Sequence, residues 1–288
     1  ALERTAAVFG GDFYDERIAS RRDVFAPLSG ARRSARPLFP EGSTYRTAGF
    51  FGQSTTELIR NRLRAGLGGR YTEIRFRTPA DTRFGVPESR QSFRDFTFNT
   101  SLTLEMTRFA GLHAMIGRGF RAPNLNDLGA IGLNDLGYEI PAAEAIPAGA
   151  LLGDSAGEGA LSKGLRIGAL QAERLYNYEA GLRLHSRRHY ARIHLFDAEL
   201  KDPIVRRTLL FPSTALPRQL AGLPVTPIEP TPAQRAQGVA AVATAFDPRA
   251  VKAFVNDGAA KYWGVEGLWR WTISPRFSAQ SGYSFLLG

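Results

Sequence analysis

The sequence has no cysteine, two methionines, only four lysines, and no uninterrupted apolar run of the roughly 18 residues that a membrane-spanning helix needs. Without cysteine there are no disulfide frameworks, thiolate metal sites or thiol nucleophiles to consider. The chain opens at Ala1 without a charged-plus-apolar leader, which suits either a processed chain or an internal piece. Subtracting Lys163, Lys201, Lys252 and Lys261 from 37 basic residues leaves 33 arginines behind the net charge of +10. These are spread along the chain and accompany no recognition helix, zinc knuckle or aromatic-basic motif, so a nucleic-acid partner is not expected. The four histidines, His113, His185, His189 and His194, lack the spacing of metal ligands on one loop.

Catalysis is not expected either. Gly-rich phosphate loops and Gly-x-Ser-x-Gly elbows are missing. Asp197 and Glu199 share one strand face by the two-residue rule, and nothing there separates an acid from a base, with Asp202 no better placed.

What the sequence does have is alternation. Hydrophobic residues make up 43% of it, and they recur at a two-residue period over long stretches. In 92–105, Phe96, Phe98, Leu102 and Leu104 face one way while Asp95, Asn99 and Glu105 face the other. Similar runs predict strands at 4–18, 44–56, 62–77, 92–105, 109–122, 174–186, 190–206, 254–272 and 277–286. The segments between them, 19–43, 78–90, 123–170 and 207–253, read as loops rich in Pro, Gly, Ala and polar residues. Within 115–127, Pro123 ends regular pairing, and Asn124, Asn126 and Asp127 supply turn chemistry.

Tight turns therefore alternate with long loops. In an antiparallel meander every long loop then falls at the same end of the sheet. That asymmetry, together with strands well beyond the usual five or six residues, predicts an all-β fold: a meander of about nine long strands, part of a large transmembrane β-barrel spanning 1–288. Apolar residues would face lipid, with Tyr176, Tyr178, Trp269, Trp271 and Tyr283 suiting interfacial girdles. Asp95, Asn99, Glu179, Arg183, Glu266 and Arg270 would face the lumen, lining it or pairing with each other. Arg121, Asn124, Asn126 and Asp127 lie where a strand enters a long loop, placed either to touch a ligand or to cap the strand and fix its turn.

Five segments resemble the TonB-dependent outer-membrane receptors, in that family's order. Phe120-Arg-Ala-Pro123 through Leu128 resembles its aromatic/Arg-Ala-Pro segment, and Leu170-Gln-Ala-Glu173 through Tyr178-Glu-Ala-Gly-Leu182 its Leu-x-Pro-Glu…Tyr-Glu-x-Gly-Leu segment, with Ala172 for the proline. Lys201-Asp-Pro-Ile204 is similar to its Lys-Asp-x-Ile strand end, and Asn256-Asp-Gly258 with Gly264-Val-Glu266 to its Asn-x-Gly…Gly-Val-Glu strand. Ala48–Gln53 with Ala65–Tyr71 fits the strands upstream.

The resemblance implies a 22-stranded barrel filled by a plug, of which this chain supplies about nine strands, and the lumen-facing side chains would then be placed to hydrogen-bond that plug. It implies energised outer-membrane uptake of a scarce small ligand, an iron-siderophore chelate, cobalamin or oligosaccharide, with TonB engaging a plug missing here and lipid and lipopolysaccharide around the wall. No plug or TonB segment is recognisable, and the sequence stops inside a strand, so an internal fragment is expected, unable to close a pore alone. Haem fits poorly, because 129–170 contains no histidine. A passive porin-like barrel and a secreted all-β binding module remain open readings.

Overall fold

In the computed structural model, which describes residues 4–288, nine antiparallel strands form one sheet in strict chain order. They are Thr5–Arg17, Thr44–Ile59, Leu63–Thr78, Ser89–Thr107, Ala110–Arg121, Glu173–His185, His189–Lys201, Ala259–Ser274 and Phe277–Leu287, referred to as wall strands one to nine. They run from 11 to 19 residues, long enough to cross a bilayer at a tilt. The first and ninth are edges: neither has a second partner among the described residues.

Four tight turns close one end, each built by local chemistry. Asn61 takes the left-handed conformation at φ 55°, and its N–H donates to Glu57 Oε1 at 2.6 Å. Thr107 Oγ1 accepts from the Phe109 and Ala110 amides at 3.1 Å, and Ser186 Oγ accepts from the His189 amide at 3.1 Å. Ser274 pairs with Phe277 across the fourth.

Continuous register fixes the two faces. One carries Phe9, Phe13, Phe50, Leu67, Phe96, Leu102, Leu112, Ile116, Tyr178, Ile193, Leu195, Trp269 and Tyr283, all exposed, Phe9 at 86% and Phe50 at 70%. So many large apolar side chains on one face of a single sheet leave an area far beyond what a water-facing surface carries. Trp269 and Trp271 stack with His189 beside the tight-turn end, while Tyr176 stands near the loop end against Lys201, 5.1 Å from its ring.

The long connections are not loops in the sense expected. They fold into a body with its own core and a second sheet, in the order Gln219–Leu220, Leu223–Pro227, Val239–Thr244, Ile204–Pro212, Lys252–Asn256, Gly137–Glu139, Gly132–Asn134. Short helices at Leu125–Gly129, Ala142–Ala145 and Pro232–Ala236 accompany it. Leu128, Ile140, Leu209, Phe211, Val242 and Val251 are buried there, and the main hydrophobic core belongs to this body rather than to the wall. The wall joins that core through Phe76, with Tyr45 and Phe93 packed beside it. All three share the face opposite the apolar one, so the body roofs the wall's polar side at the loop end.

Two predicted strands are corrected. The seventh ends at Lys201 rather than 206, because Asp202 turns left-handed at φ 56° and Ile204–Pro212 enters the body's sheet. The eighth begins at Ala259 rather than 254: Lys252–Asn256 belongs to the body, and Gly258 at φ +78° makes the corner. In 19–43, Arg22–Phe25 and Arg32–Ala35 form a hairpin where a loop was expected.

Candidate functional site: a rim knot and an arginine-lined cavity

Where wall meets roof, residues from four separate segments share one hydrogen-bonded knot. Arg121, at the end of the fifth strand, forks onto Glu173 at the start of the sixth, with Nε to Oε2 at 2.7 Å and Nη2 to Oε1 at 2.8 Å. Its Nη1 donates to Asp127 Oδ2 at 2.9 Å. Asn124 caps the helix Leu125–Gly129: its Oδ1 accepts from the Asp127 amide and Asp127 Oδ2 from the Asn124 amide, both at 3.0 Å. Glu173 Oε1 also accepts from the Ile204 amide at 2.7 Å. Nearby, the Asn256 side chain accepts from the Gln171 amide at 2.7 Å and donates to the carbonyls of Gln171 at 3.0 Å and Asp202 at 2.7 Å. One amide thus ties three crossings between roof and wall. Of the four rim residues singled out in the sequence, Arg121, Asn124 and Asp127 bond one another and Glu173, with Asn124 exposed, while Asn126 is half-buried.

Register puts Asp95, Asn99, Glu179, Arg183, Glu266 and Arg270 on one face, but not in one cluster. Arg183 pairs with Glu105 at 2.5 Å, Glu179 accepts from Asn177 at 2.6 Å, and Arg270 bonds Gln280 at 3.1 Å. Asn99 lies over Gly68, where a Cβ would sit 2.8 Å from its Nδ2. Asp95 receives both Nη atoms of Arg118 at 2.6 and 3.0 Å. The fourth and fifth strands stop pairing at Phe98 and Arg118, and the Arg118 guanidinium fills that seam, also bonding the Phe96 carbonyl.

The roof holds a cavity of about 530 Å³ that the sequence reading missed. Its apolar lining is Val24, Phe84, Leu133, Tyr138, Leu223 and Phe246, with Tyr138 and Phe246 stacked at 6.4 Å. Four arginines line it: Arg22, Arg33, Arg36 and Arg83. Arg83 is paired with Asp81 at 2.8 Å, whereas Arg22, Arg33 and Arg36 form no ion pair among the described residues. Arg36 donates to the carbonyls of Phe84 and Ala221, the latter at 2.7 Å, and to Tyr138 Oη at 3.4 Å, while its buried Nε has no partner. Burial pushes the Tyr138 phenol up, partly offset by Arg36, so its hydroxyl keeps its proton. One signal was present in the sequence: 17–36 holds Arg17, Arg21, Arg22, Arg32, Arg33 and Arg36. The cavity itself comes from segments far apart in sequence.

The family model described as TonB dependent receptor-like, beta-barrel, matches residues 2–287. The chain belongs to this family. Among solved structures, the TonB-dependent receptor barrel is similar to the copper transporter OprC at TM-score 0.62 and 12% identity, over 98% of this chain and 34% of that one. It is similar to a double mutant of the Serratia marcescens hemophore receptor HasR, in complex with HasA and heme, at TM-score 0.61 and 13% identity, over 99% and 39%. The ferric yersiniabactin uptake receptor FyuA from Yersinia pestis follows at TM-score 0.53 and 14% identity, over 98% and 32%. At these identities the likeness is one of fold, and the chain spans between about a third and two fifths of each structure. No curated protein sequence matches it. In this receptor barrel the resembling segments become neighbours: Arg121, Glu173, Ile204 and Asn256 each come from a different one, and all sit at the rim.

Proposed function

We propose that the chain is a loop-bearing part of the barrel of an outer-membrane receptor that takes up a scarce small ligand, such as an iron-siderophore chelate, by TonB-driven transport. The observation that carries this reading is the two-faced wall: an exposed apolar face suited to lipid, and an opposite polar face roofed by a folded body. Asp95, Asn99, Glu179, Arg183, Glu266 and Arg270 then face the lumen. Asn99 and Glu266 are the members of that set without an ion pair or a bonded side chain among the described residues, and they are the first candidates for contact with a plug. The rim knot holds the roof in place, and Arg121 and Asp127 act on ligand through that geometry.

The ligand meets the roof from outside, because the four long connections lie at one end and the tight turns at the other. TonB acts through a plug elsewhere in the parent protein, and lipid and lipopolysaccharide surround the wall. The test is uptake in cells expressing the full-length parent, with and without TonB and with and without a protonophore. Accumulation of a ferric chelate should need both TonB and the proton gradient. Uptake unaffected by either would point instead to a passive barrel.

A further inference from the structure

The cavity in the roof combines two kinds of lining that rarely coexist without a ligand to use both. Its floor and sides are aromatic and aliphatic, with Phe84, Tyr138 and Phe246 presenting ring surface. Its charge is of one sign: Arg22 and Arg33 stand at the exposed hairpin, Arg36 lies deeper, and none of the three has a carboxylate within ion-pair distance among the described residues. Of the nearby acids, Asp23 is spent on Arg21 and Arg32 and Asp81 on Arg83, while Glu144 feels Arg36 from beyond ion-pair distance and burial pushes its carboxyl up, toward the neutral form. Three unneutralised guanidinium groups around an apolar hollow repel one another, and a buried Nε with no partner adds a desolvation cost. An anion inside offsets both.

We propose that this cavity binds a small organic anion with a planar, apolar body, its acidic group held by Arg22, Arg33 and Arg36 and its ring by Phe84, Tyr138 and Phe246. The volume, about 530 Å³, lies within the range of small-molecule sites. Guanidinium forks suit a carboxylate or a phenolate and also stack on ring faces, so one arginine set serves both parts of the ligand. Loss of the anion while the ring is kept should cost most of the affinity, because charge-assisted bonds to several guanidinium groups vanish together.

This inference deepens the receptor reading, and its test stands apart from it. Purified full-length protein is titrated by calorimetry with 2-naphthoate and with neutral 2-naphthamide, each corrected for a detergent blank. The acid should bind at least about tenfold more tightly than the amide. The double variant Arg22→Gln/Arg33→Gln, at the exposed mouth, should erase that preference while the protein still folds. Arg94→Gln, on the outer side of the wall, should leave it intact. Arg36→Met adds the deep contact but also cuts ties to Phe84 and Ala221, so it is read only alongside the mouth variant. Equal binding of acid and amide, or a preference that survives the mouth variant, overturns the proposal. Failure of energised uptake with the acid preference intact would sink the receptor reading alone.

Discussion

Phe76 is the place where wall and roof can be pulled apart. It sits on the third wall strand, 2% exposed, with its ring so close beneath the helix Leu125–Gly129 that a Cβ on Gly129 would come within 3.0 Å of Phe76 Cζ. A buried phenylalanine hides about 150–250 Å², which at ~25 cal/mol per Å² is roughly 4–6 kcal/mol as an upper bound. Truncation in packed cores costs about 3–5 kcal/mol, so Phe76→Ala should remove that much from docking of the roof. Phe50, 70% exposed on the opposite face, is the control: lipid can fill the space its ring leaves, and Phe50→Ala should cost far less. The assay is limited proteolysis of intact cells expressing the full-length protein, with heat-modifiable gel mobility reporting on the barrel. Phe76→Ala should open the roof to protease while the barrel keeps its mobility, and Phe50→Ala should change neither. A roof equally resistant in both variants would refute the argument that this side chain joins two otherwise separate cores.

Parity along one strand tests which face meets lipid: Ile116→Arg should cost about 2–4 kcal/mol in barrel folding titrations, whereas Met115→Arg, one residue away on the polar face, should cost much less. Asn256→Ala removes bonds to Gln171 and Asp202 and should raise protease cleavage near 202–207 and 256–258, with the wall unaffected. The roof should also loosen in acid. Hydrogen bonds from Arg249 hold the Asp247 carboxyl below its ordinary range, and those from Arg83 do the same for Asp81. Folded values below the unfolded 3.8 mean that this stability is fully present above pH 3.8 and is lost as the pH falls through the lower folded values. Pepsin digestion should therefore accelerate below pH 3.8, and less so in Asp247→Asn, whose roof no longer gains from that ionisation.

The wall was legible because its strands are long and two-sided: alternation over a dozen residues fixes both type and face, as in Ser89–Thr107. The roof was not. Val239–Thr244 is buried at every position, so no period shows, and other strands of the same sheet run as short as the two residues Gln219–Leu220. One contact there, Lys252 with Glu139, is parallel and joins residues more than a hundred apart. The boundaries at 201 and 259 carry turn chemistry, Lys201-Asp-Pro203 and Asn256-Asp-Gly258, but apolar β-formers lie just beyond each corner, Ile204-Val205 and Phe254-Val255, and nothing local says that these enter a second sheet. Asn124 and Asp127 could be found from turn chemistry and Arg121 from its place where a strand enters a long loop, but their mutual bonding could not, since Glu173 reaches them only through strand pairing. The cavity arginines escaped because no local pattern says which side chains from 22–36, 83, 132–138, 222 and 246 share a space.

The unequal connections also bear on how the chain assembles. Wall strands two and three, four and five, six and seven, and eight and nine each meet across a short bend, so four two-stranded units can form from nearest neighbours alone. Drawing the fifth and sixth strands together means closing residues 122–172, which sacrifices about 2.5 kcal/mol more chain entropy than closing residues 60–62. That deficit is recovered only when the intervening segment has condensed around its own centre. The crown therefore acts as a clasp, and the order of events runs from ready-made pairs to a joined ribbon.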